Sequence, residues 1–349
     1  GGPTPALFDR LPFVRYASNP VIPLGGSGSW YEEQVFDPCV LVDPSDATKL
    51  IMFVSGMASP VASSNVTVGR FDGTVANPYS WSEHGGTGHG QVLLPGSGGS
   101  WDQTAVRLGS CFYDSGTFYI YYAGYSSGSG VSQIGLATST DGVTFTKSGS
   151  NPVLTPTGQG RNDGDNVEDP AVLKEGSAWT MIYAYRNGGT VLPGYRYATA
   201  STATAWTKGG VGDLITCSVG SFCEWHQIQK IGSEYVLIFE AGNDSPPFSL
   251  YMSSASSVTG PYSPNDNSQT ILSPSGVVGA WDRYHVATGA LFNIGTLWLL
   301  YYVGAGLHQS PYQTNTYPMG VAALCPQIKL APGTLVVGAG ATLKLAGCF

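Results

Sequence analysis

The fold is decided by a short pattern, Phe36-Asp37-Pro38-Cys39-Val40-Leu41, which returns in altered form as Glu168-Asp169-Pro170-Ala171-Val172-Leu173. In both copies an acid followed by proline leads into an apolar stretch with the composition of a β-strand. A turn and a second, more aromatic strand come next, as in Trp179-Thr180-Met181-Ile182-Tyr183. A pattern that recurs at this distance predicts a repeat architecture.

Three further segments follow the same order, each with an acid ahead of an apolar strand. The five acidic markers are Asp37, Asp102, Asp169, Glu224 and Asp282. They lie 65, 67, 55 and 58 residues apart, which leaves room for four antiparallel strands in each repeat. Five such repeats predict an all-β fold, a five-bladed β-propeller. Because blade starts surround the central axis of a propeller, we expect the five markers to converge at one end.

The two ends of the chain carry a further prediction about the ring. The stretch 19–23 resembles the last strand of a blade, and we expect it to complete blade five, whose third strand is predicted at 319–324. Such an N-terminal strand closes the ring and leaves no exposed edge. We assign residues 1–325 to the propeller and 326–349 to a short C-terminal β extension, through which the chain could form a homo-oligomer or a larger assembly.

The composition excludes several classes of partner. Only 11% of the residues are charged, 42% are hydrophobic and the net charge is −8. An acidic chain without a Lys/Arg run has no electrostatic footprint for nucleic acid. No stretch approaches the ~20 apolar residues that a membrane span requires. We therefore expect neither a nucleic-acid partner nor a membrane span.

The six cysteines show no metal-binding spacing. Cys217 with Cys223, and Cys325 with Cys348, are candidate disulfide pairs among about fifteen possible connectivities. With a composition poor in lysine and rich in glycine, serine and tyrosine, disulfides favour an extracellular, secreted protein.

Asp37, Asp169 and Glu224 are the candidate catalytic residues. Carboxyl groups that are forced together acquire different pKa values, so one can act as an acid while another acts as a base. Glycosidic bond cleavage requires such a pair. Two structural readings stay open: Asp-Pro can serve only as a turn, and the Trp-Asp pairs at 101–102 and 281–282 can provide packing and a loop hydrogen bond.

At these residues the chain resembles the five-bladed propeller glycoside hydrolases, over roughly residues 19–324. It is most similar to family 43 and more distantly to families 32, 68 and 130. The resemblance implies that Asp37 is the base, Asp169 the residue that tunes pKa values, and Glu224 the acid. Trp225-His226 follows Glu224 where family 43 has Gly-Pro. Cys223-Glu224 and Glu168-Asp169-Pro170 are instead similar to motifs of the fructosidases.

The resemblance implies a glycoside hydrolase that needs no cofactor and acts on a poly- or oligosaccharide, as arabinofuranosidases, arabinanases and xylosidases do. An inverting mechanism predicts carboxyl groups about 6.5–9.5 Å apart, and a retaining one about 5–5.5 Å. We expect the substrate to contact Trp30, Trp101, Asp102, Trp225, His226, Trp281, Asp282 and His285. The resemblance also implies a calcium ion in the central channel, with His285 as its ligand. Arg107, Arg186 and Arg283 are candidates to neutralise the carboxylates or to bind an acidic sugar, and exposed surface positions are an equal alternative for them.

Two alternatives to hydrolysis are open at this stage. The first is a carbohydrate-binding propeller without catalytic activity, such as a virion or cell-surface adhesin. The second, phosphorolysis, needs a cationic phosphate pocket, and the sequence shows no cluster of Arg, Lys or His that predicts one.

Overall fold

A computed structural model of the protein describes residues 13–58, 65–126, 131–157, 163–186, 194–210, 212–216, 222–243, 247–307 and 316–324. Within these ranges the chain forms twenty-two β-strands in five antiparallel sheets, and no helix is present there, so none could cross a membrane. The predicted five-bladed β-propeller is confirmed.

Each sheet is one blade. Blade one contains β2 (Gln34–Val42), β3 (Lys49–Met57), β4 (Val66–Thr74) and β5 (Asn77–Glu83), with β6 (Gln91–Leu93) also paired to β4. Blade two contains β7 (Ala105–Asp114), β8 (Thr117–Tyr125), β9 (Ser132–Ser139) and β10 (Thr146–Lys147). Blade three contains β11 (Asn166–Glu175), β12 (Ala178–Arg186), β13 (Gly194–Ala200) and β14 (Thr207–Lys208), with β15 (Ile215–Thr216) also paired to β13.

The last two blades complete the ring. Blade four contains β16 (Phe222–Ile231), β17 (Glu234–Gly242), β18 (Ser249–Ala255) and β19 (Thr270–Leu272). Blade five contains β20 (His285–Ile294), β21 (Leu297–Ala305), β22 (Met319–Leu324) and, as its outer strand, β1 (Phe13–Arg15). The first strands of the five blades contact one another in chain order, and β20 contacts β2. These first strands are therefore the innermost ones.

The N-terminal part of the chain closes the ring, but the outer strand is formed by Phe13–Arg15 and not by the predicted stretch 19–23, which contributes a single bridge from Ile22 to Met319. β1 pairs with β22, and the backbone N–H groups of Val21 and Ile22 both donate to the carbonyl oxygen of Met319, at 2.8 and 3.1 Å. Blade five therefore takes its outer edge from the start of the chain. The predicted C-terminal extension, 326–349, lies outside the described residues.

The core consists of five apolar clusters, one for each contact between neighbouring blades. Phe53 of blade one, for example, packs with Ile120 of blade two, and Tyr183 of blade three packs with Leu136 of blade two. This follows from the sequence, because the inner strands are apolar on both faces and each blade is covered by a neighbour on either side.

A disulfide between Cys39 and Cys111 joins the innermost strands of blades one and two, with the two Cα atoms 5.9 Å apart. The sequence did not predict this pair, whose members are 72 residues apart. Cys223 is also disulfide-bonded. The other members of the predicted pairs, Cys217, Cys325 and Cys348, lie outside the described residues.

Candidate active site

Four of the five innermost strands are interrupted by a β-bulge at the same depth. In each of them two consecutive residues of the innermost strand lie opposite a single residue of the second strand, and none of the three is paired in the ladder. The skipped pairs are Asp37-Pro38, Asp169-Pro170, Glu224-Trp225 and Thr288-Gly289. In blade two the register shift is smaller and spans only Gly109. A bulge bends its strand and re-aims a side chain, so these positions can direct side chains out of the regular alternation.

The backbone at these bulges explains the Asp-Pro pattern. Asp37 and Asp169 have positive φ angles of 53° and 51°, a conformation that aspartate tolerates better than most residues. The proline that follows each acid fixes the next φ and lacks an N–H that the bulge would leave without a ladder partner. Asp-Pro therefore forms a bulge inside a strand and not a turn, and both aspartate side chains are buried.

The three predicted catalytic acids are buried close together. Asp37 is 0% exposed, Asp169 1% and Glu224 7%. They are near enough for the charges of Asp37 and Glu224 to raise the pKa of Asp169. The structure therefore brings these three markers together from three different blades.

Arg107, on β7 of blade two, forms an ion pair with Asp37. Its Nε and Nη2 atoms donate to the two carboxylate oxygens, each at 3.3 Å. The hydroxyl of Ser55 donates to the same carboxylate at 2.9 Å and accepts the backbone N–H of Leu108. Burial raises the pKa of Asp37, and the Arg107 guanidinium offsets part of that shift by favouring the charged form. The predicted role of Arg107 as a cation for a pocket carboxylate is confirmed.

A second arginine neutralises another acid. Arg186 Nε donates to the Glu168 carboxylate at 2.7 Å, and the hydroxyl of Tyr125 donates to its other oxygen at 2.8 Å. Glu168 directly precedes Asp169, so blade three brings two acids to the site. The cation role predicted for Arg186 is also confirmed. Arg283 instead places its guanidinium over the ring of Tyr284, 4.6 Å from the centroid.

Asp169 has no such partner among the described residues. Both of its carboxylate oxygens are buried without a hydrogen bond there. Burial holds the pKa of Asp169 well above its ordinary value, and the charge of Arg107 offsets only part of this shift. The charges of Glu168, Asp37 and Glu224 raise it further. The protonated form of Asp169 is therefore favoured.

Besides Glu168, sequence reasoning missed a second acid of this site, Glu240 on β17. It is 3% exposed, and its carboxylate accepts the backbone N–H of Thr288 at the bulge of blade five. Burial and the charge of Glu224 hold its pKa well above the ordinary value. One signal could have revealed it, because Glu240-Ala241-Gly242 stands where other blades have Tyr122-Ala123-Gly124 and Tyr302-Val303-Gly304.

Known proteins share both the sequence pattern and the fold. Residues 91–210 match the family model for the Glycosyl hydrolases family 32 N-terminal domain. This stretch runs from β6 of blade one through blade two to β14 of blade three. Among curated proteins, none matches the chain.

Solved structures of glycoside hydrolases superpose on nearly the whole chain. The catalytic domain of a GH62 α-L-arabinofuranosidase from Coprinopsis cinerea has a TM-score of 0.62 and 15% identity, over 90% of this chain and 98% of that one. A family 117 glycoside hydrolase of the marine bacterium Zobellia galactanivorans has a TM-score of 0.66 and 13% identity, over 91% of both chains. The GH43_1 enzyme of Xanthomonas citri has a TM-score of 0.57 and 16% identity, over 85% and 89%.

The fold is that of the five-bladed propeller glycoside hydrolases. The family match covers residues 91–210, and the structural neighbours, at 13–16% identity, show the fold alone. The remaining residues predicted for the site divide into packing residues, loop residues and residues at the centre of the ring.

Three of the predicted sugar-stacking tryptophans pack inside their own blades. Each indole lies on two glycines, one from the second strand of the blade and one from the third. These triplets are Trp30 with Gly56 and Gly69, Trp101 with Gly124 and Gly135, and Trp281 with Gly304 and Gly320. A Cβ at any of the six glycines would come closer than 3.0 Å to the indole ring. The packing reading that the sequence left open for the Trp-Asp pairs is therefore the one the structure supports.

Asp102 and Asp282 lie in the loops before the innermost strands, away from the bulges. Each is 2% exposed and accepts a hydrogen bond, at 3.0 Å, from a tyrosine of the same blade, Tyr122 and Tyr302 respectively. Each also forms an ion pair with a cation on the outermost strand of its blade, Lys147 with Asp102 and Arg15 with Asp282. Asp163 repeats the arrangement with Tyr183 and Lys208 in blade three. In blades two, three and five these aspartates therefore connect the second strand to the outermost strand of the same blade. The expectation that all five markers converge was wrong for Asp102 and Asp282.

Trp225 occupies the centre of the ring. It is 1% exposed and belongs to the apolar cluster of blades one and two, with Cys39 and Leu108. Because blade four adjoins only blades three and five, the indole must cross the axis to reach that cluster. The side chain fills the centre of the propeller and is not a surface on which a sugar could stack.

The two predicted histidines are fully buried. The Nε2–H of His226 donates a hydrogen bond to the carbonyl oxygen of Ile182, and burial lowers the pKa of His226 to about 4, so the ring is neutral at pH 7. His285 accepts the backbone N–H of Phe248 at Nδ1. In the described part of the chain no group of three or more His, Cys, Asp or Glu side chains could hold a metal ion. Together with the Trp225 side chain at the axis, this does not fit the expected calcium site at His285.

Proposed function

We propose that the protein is a secreted glycosidase that hydrolyses a poly- or oligosaccharide, with Asp37 as base, Glu224 as acid and Asp169 as the residue that tunes their pKa values. One observation carries the proposal: three acids sit on equivalent bulges of three blades and converge in a buried cluster, although only 23 of the 349 residues are acidic. The disulfide between Cys39 and Cys111 supports the extracellular assignment.

Asp37 is suited to the role of base because its surroundings favour the charged form more than those of Asp169 do. Two guanidinium N–H groups of Arg107 and the hydroxyl of Ser55 point at its carboxylate. A carboxylate held in this way can accept a proton from a water molecule as that water attacks the anomeric carbon. Arg107 then balances the charge that Asp37 carries in the free enzyme.

Glu224 is suited to the role of acid by its position. It lies on the bulge of blade four and is buried in the same space as Asp37, Asp169 and Glu240. A protonated Glu224 can donate its proton to the glycosidic oxygen as the bond to the leaving sugar breaks. Asp169, with its protonated form favoured, limits the negative charge that surrounds the pair.

The single experiment that tests this proposal is replacement of Glu224 by glutamine. Loss of a general acid lowers turnover about 10²–10⁴-fold, so we expect Glu224→Gln to bind oligosaccharide and to cleave it at least about 100-fold more slowly. Arabinosyl, xylosyl, fructosyl and galactosyl substrates form the panel, and the anomer released, read by NMR, distinguishes inversion from retention. Glu175→Gln is the matched control, because Glu175 is a surface acid paired with Lys230.

Two results would contradict the proposal. Wild-type protein that binds glycans and releases no sugar from any member of the panel would indicate the non-catalytic, adhesin-like alternative. Full activity of the Glu224→Gln protein would remove this residue from the mechanism.

A further inference from the structure

A cavity of about 300 Å³ opens between blades one and two. Blade one lines it with the β2–β3 turn, Arg70 and His84, and blade two lines it with Tyr113 and the loop after β9. Its volume lies at the lower end of the range for ligand-binding pockets, which suits a molecule of about the size of one sugar ring. We call it the interblade cavity.

The interblade cavity lies at the end of the propeller opposite the acids. Asp37 is in the first half of β2, whereas Asp43 follows the last residue of that strand. Tyr113 is next to the end of β7, and Asp141 follows β9, which runs in the same direction as β7. Extended chain rises about 3.3 Å per residue, so up to about 20 Å of backbone separates Asp43 from Asp37. The cavity is therefore distinct from the candidate active site.

Arg70 brings hydrogen-bond donors to the cavity that the protein leaves unused. Its side chain is only 8% exposed, and its Nε donates to Asp72 at 2.8 Å. Its Nη1 donates to the backbone carbonyls of Asp141 and Gly142, at 3.5 and 3.2 Å. Among the described residues no acceptor is bonded to Nη2, which carries two N–H groups. A buried N–H group without an acceptor costs free energy, and a ligand hydroxyl in the cavity removes that cost.

Two carboxylates supply acceptors in the same cavity. Oδ1 of Asp43 accepts the backbone N–H and the hydroxyl of Ser45, at 2.8 and 2.6 Å. Oδ1 of Asp141 accepts the backbone N–H groups of Val143 and Thr144, at 2.8 and 2.7 Å. These bonds fold the two turns and hold the carboxylates in place. Because they all use Oδ1, Oδ2 of each carboxylate can accept from a ligand.

Tyr113 gives the cavity an apolar wall. Its side chain is 40% exposed and contacts Phe118, with the ring centroids 4.8 Å apart and the ring planes at 61°. Phe118 is buried, so it supports the tyrosine ring from the protein side. An aromatic ring beside a few fixed polar groups is the usual composition of a small-molecule site. A sugar matches it, because its C–H groups pack on the ring while its hydroxyls donate and accept hydrogen bonds.

The charges around the cavity select against other classes of ligand. Three carboxylates, Asp43, Asp72 and Asp141, lie around Arg70, which is already paired with Asp72. His84 also bonds to Asp72, so the field repels an anion. The described residues contain no group of three or more His, Cys, Asp or Glu side chains that could hold a metal ion. A neutral, hydroxyl-rich molecule fits this balance best.

We propose that the interblade cavity is a second glycan-binding site, which holds one neutral sugar unit of a poly- or oligosaccharide. Arg70, Asp43 and Asp141 bind the hydroxyls of that unit, and Tyr113 packs on its ring. The inference goes beyond the proposed function, since binding here does not depend on cleavage at the acids. A second contact with the same polymer raises the effective concentration of polysaccharide around the protein.

Polysaccharide binding by the Glu224→Gln protein tests this site without cleavage. The probes are soluble arabinan, xylan, levan and galactan, with polygalacturonate as the acidic comparison, and the Kd is measured by isothermal titration calorimetry. In this background Tyr113→Ala removes the apolar wall, and Asp43→Asn removes a charge while its amide oxygen can still accept from Ser45. We expect each change to raise the Kd for the polymer that the parent binds best by about fivefold or more.

Asp46→Asn and Tyr235→Ala are the matched controls. Asp46 accepts the backbone N–H and the hydroxyl of Thr48 in the same turn, much as Asp43 does from Ser45. Tyr235 lies next to the β16–β17 turn, at the same end of the propeller. Neither of them lines the cavity, so each should change the Kd less than twofold. Asp43→Asn keeps the test available if Tyr113→Ala does not fold.

The outcomes separate this inference from the proposed function. Equal affinities of the two cavity variants and their parent, or no binding to any of the polymers, would overturn the second site. Tighter binding of polygalacturonate than of the neutral polymers would overturn the class of ligand. If the wild type cleaves no substrate but polymer binding falls in both variants, the proposed function fails and the second site stands. If a short aryl glycoside is cleaved and polymer binding does not fall, only the second site fails.

Discussion

Replacement of Arg107 by methionine tests whether its guanidinium keeps Asp37 charged in the interior. Asp37 is 0% exposed, and the change removes two N–H donors at 3.3 Å while the hydroxyl of Ser55 remains. An uncompensated buried charge is strongly destabilising, so we expect Asp37 to become protonated in the variant. The folded variant then binds a proton that the unfolded chain releases near its ordinary pKa.

The cost of that proton sets the size of the effect. With an unfolded pKa of about 3.9, keeping Asp37 neutral costs about 4 kcal/mol at pH 7 and about 1.5 kcal/mol at pH 5. The wild type bears part of this cost, because burial already raises the pKa of Asp37. The variant should therefore lose up to about 4 kcal/mol at pH 7 and clearly less at pH 5. A carboxyl group whose pKa is higher in the folded than in the unfolded state lowers the free energy of unfolding more and more as the pH rises. The destabilisation of the variant should therefore be larger at pH 7 than at pH 5.

Urea unfolding at the two pH values, with the disulfides intact, measures this difference. Arg283→Met is the matched control, because its guanidinium lies over Tyr284, and it should change stability by less than about 0.5 kcal/mol at either pH. Asp37→Asn combined with Arg107→Met should recover most of the loss at pH 7, since the amide carries no charge. An equal loss at both pH values, or no recovery in the double variant, would refute the reasoning.

Three further outcomes follow from the fold and the charges of the site. Gly124→Ala should lower the free energy of unfolding by about 1–3 kcal/mol through overpacking, because its Cβ would meet the ring of Trp101. Gly149→Ala is the control and should be neutral, since its Cβ would meet nothing within 4 Å. Equal unfolding curves for the two variants would contradict the packing role of Gly124. Joint replacement of Cys39 and Cys111 by serine should lower stability by about 4 kcal/mol for a loop of this length, as measured by urea unfolding, and an unchanged midpoint would show that the bond adds nothing. Because both arginines of the site are in ion pairs and the field there is negative, kcat/KM for a neutral glycan should exceed that for its uronic acid analogue by more than about tenfold, and a preference for the acid would contradict this charge balance.

The acids of the site could be selected from sequence because charge is scarce in this chain. An acid before an apolar strand stands out when only 11% of residues are charged, and the Asp-Pro pairs at 37–38 and 169–170 mark two bulges in which the aspartate has a positive φ. Glu224 was found by blade order alone. The catalytic roles of these residues stay predictions.

The marker series combined two different structural positions. Asp37, Asp169 and Glu224 occupy bulges, whereas Asp102 and Asp282 precede the inner strand and bind a tyrosine and a cation of their own blade. Both positions recur once per blade, so spacing could not separate them. Whether an acid lies on a bulge depends on which residues of the innermost strand are left unpaired. That is set by the register of two paired strands and cannot be read from one strand alone.

The sequence by itself determined the five blades, the closure of the ring by the N-terminal segment and three acids of the site, because turn residues, apolar strands and rare charges all leave local patterns. Only the tertiary structure decided that Glu240 joins those acids, that Cys39 bonds to Cys111 and that Trp225 crosses the axis. Each of these is a contact between strands or blades far apart in the chain. Such contacts depend on ladder register and on the packing of blades around the axis, which no local stretch of residues specifies.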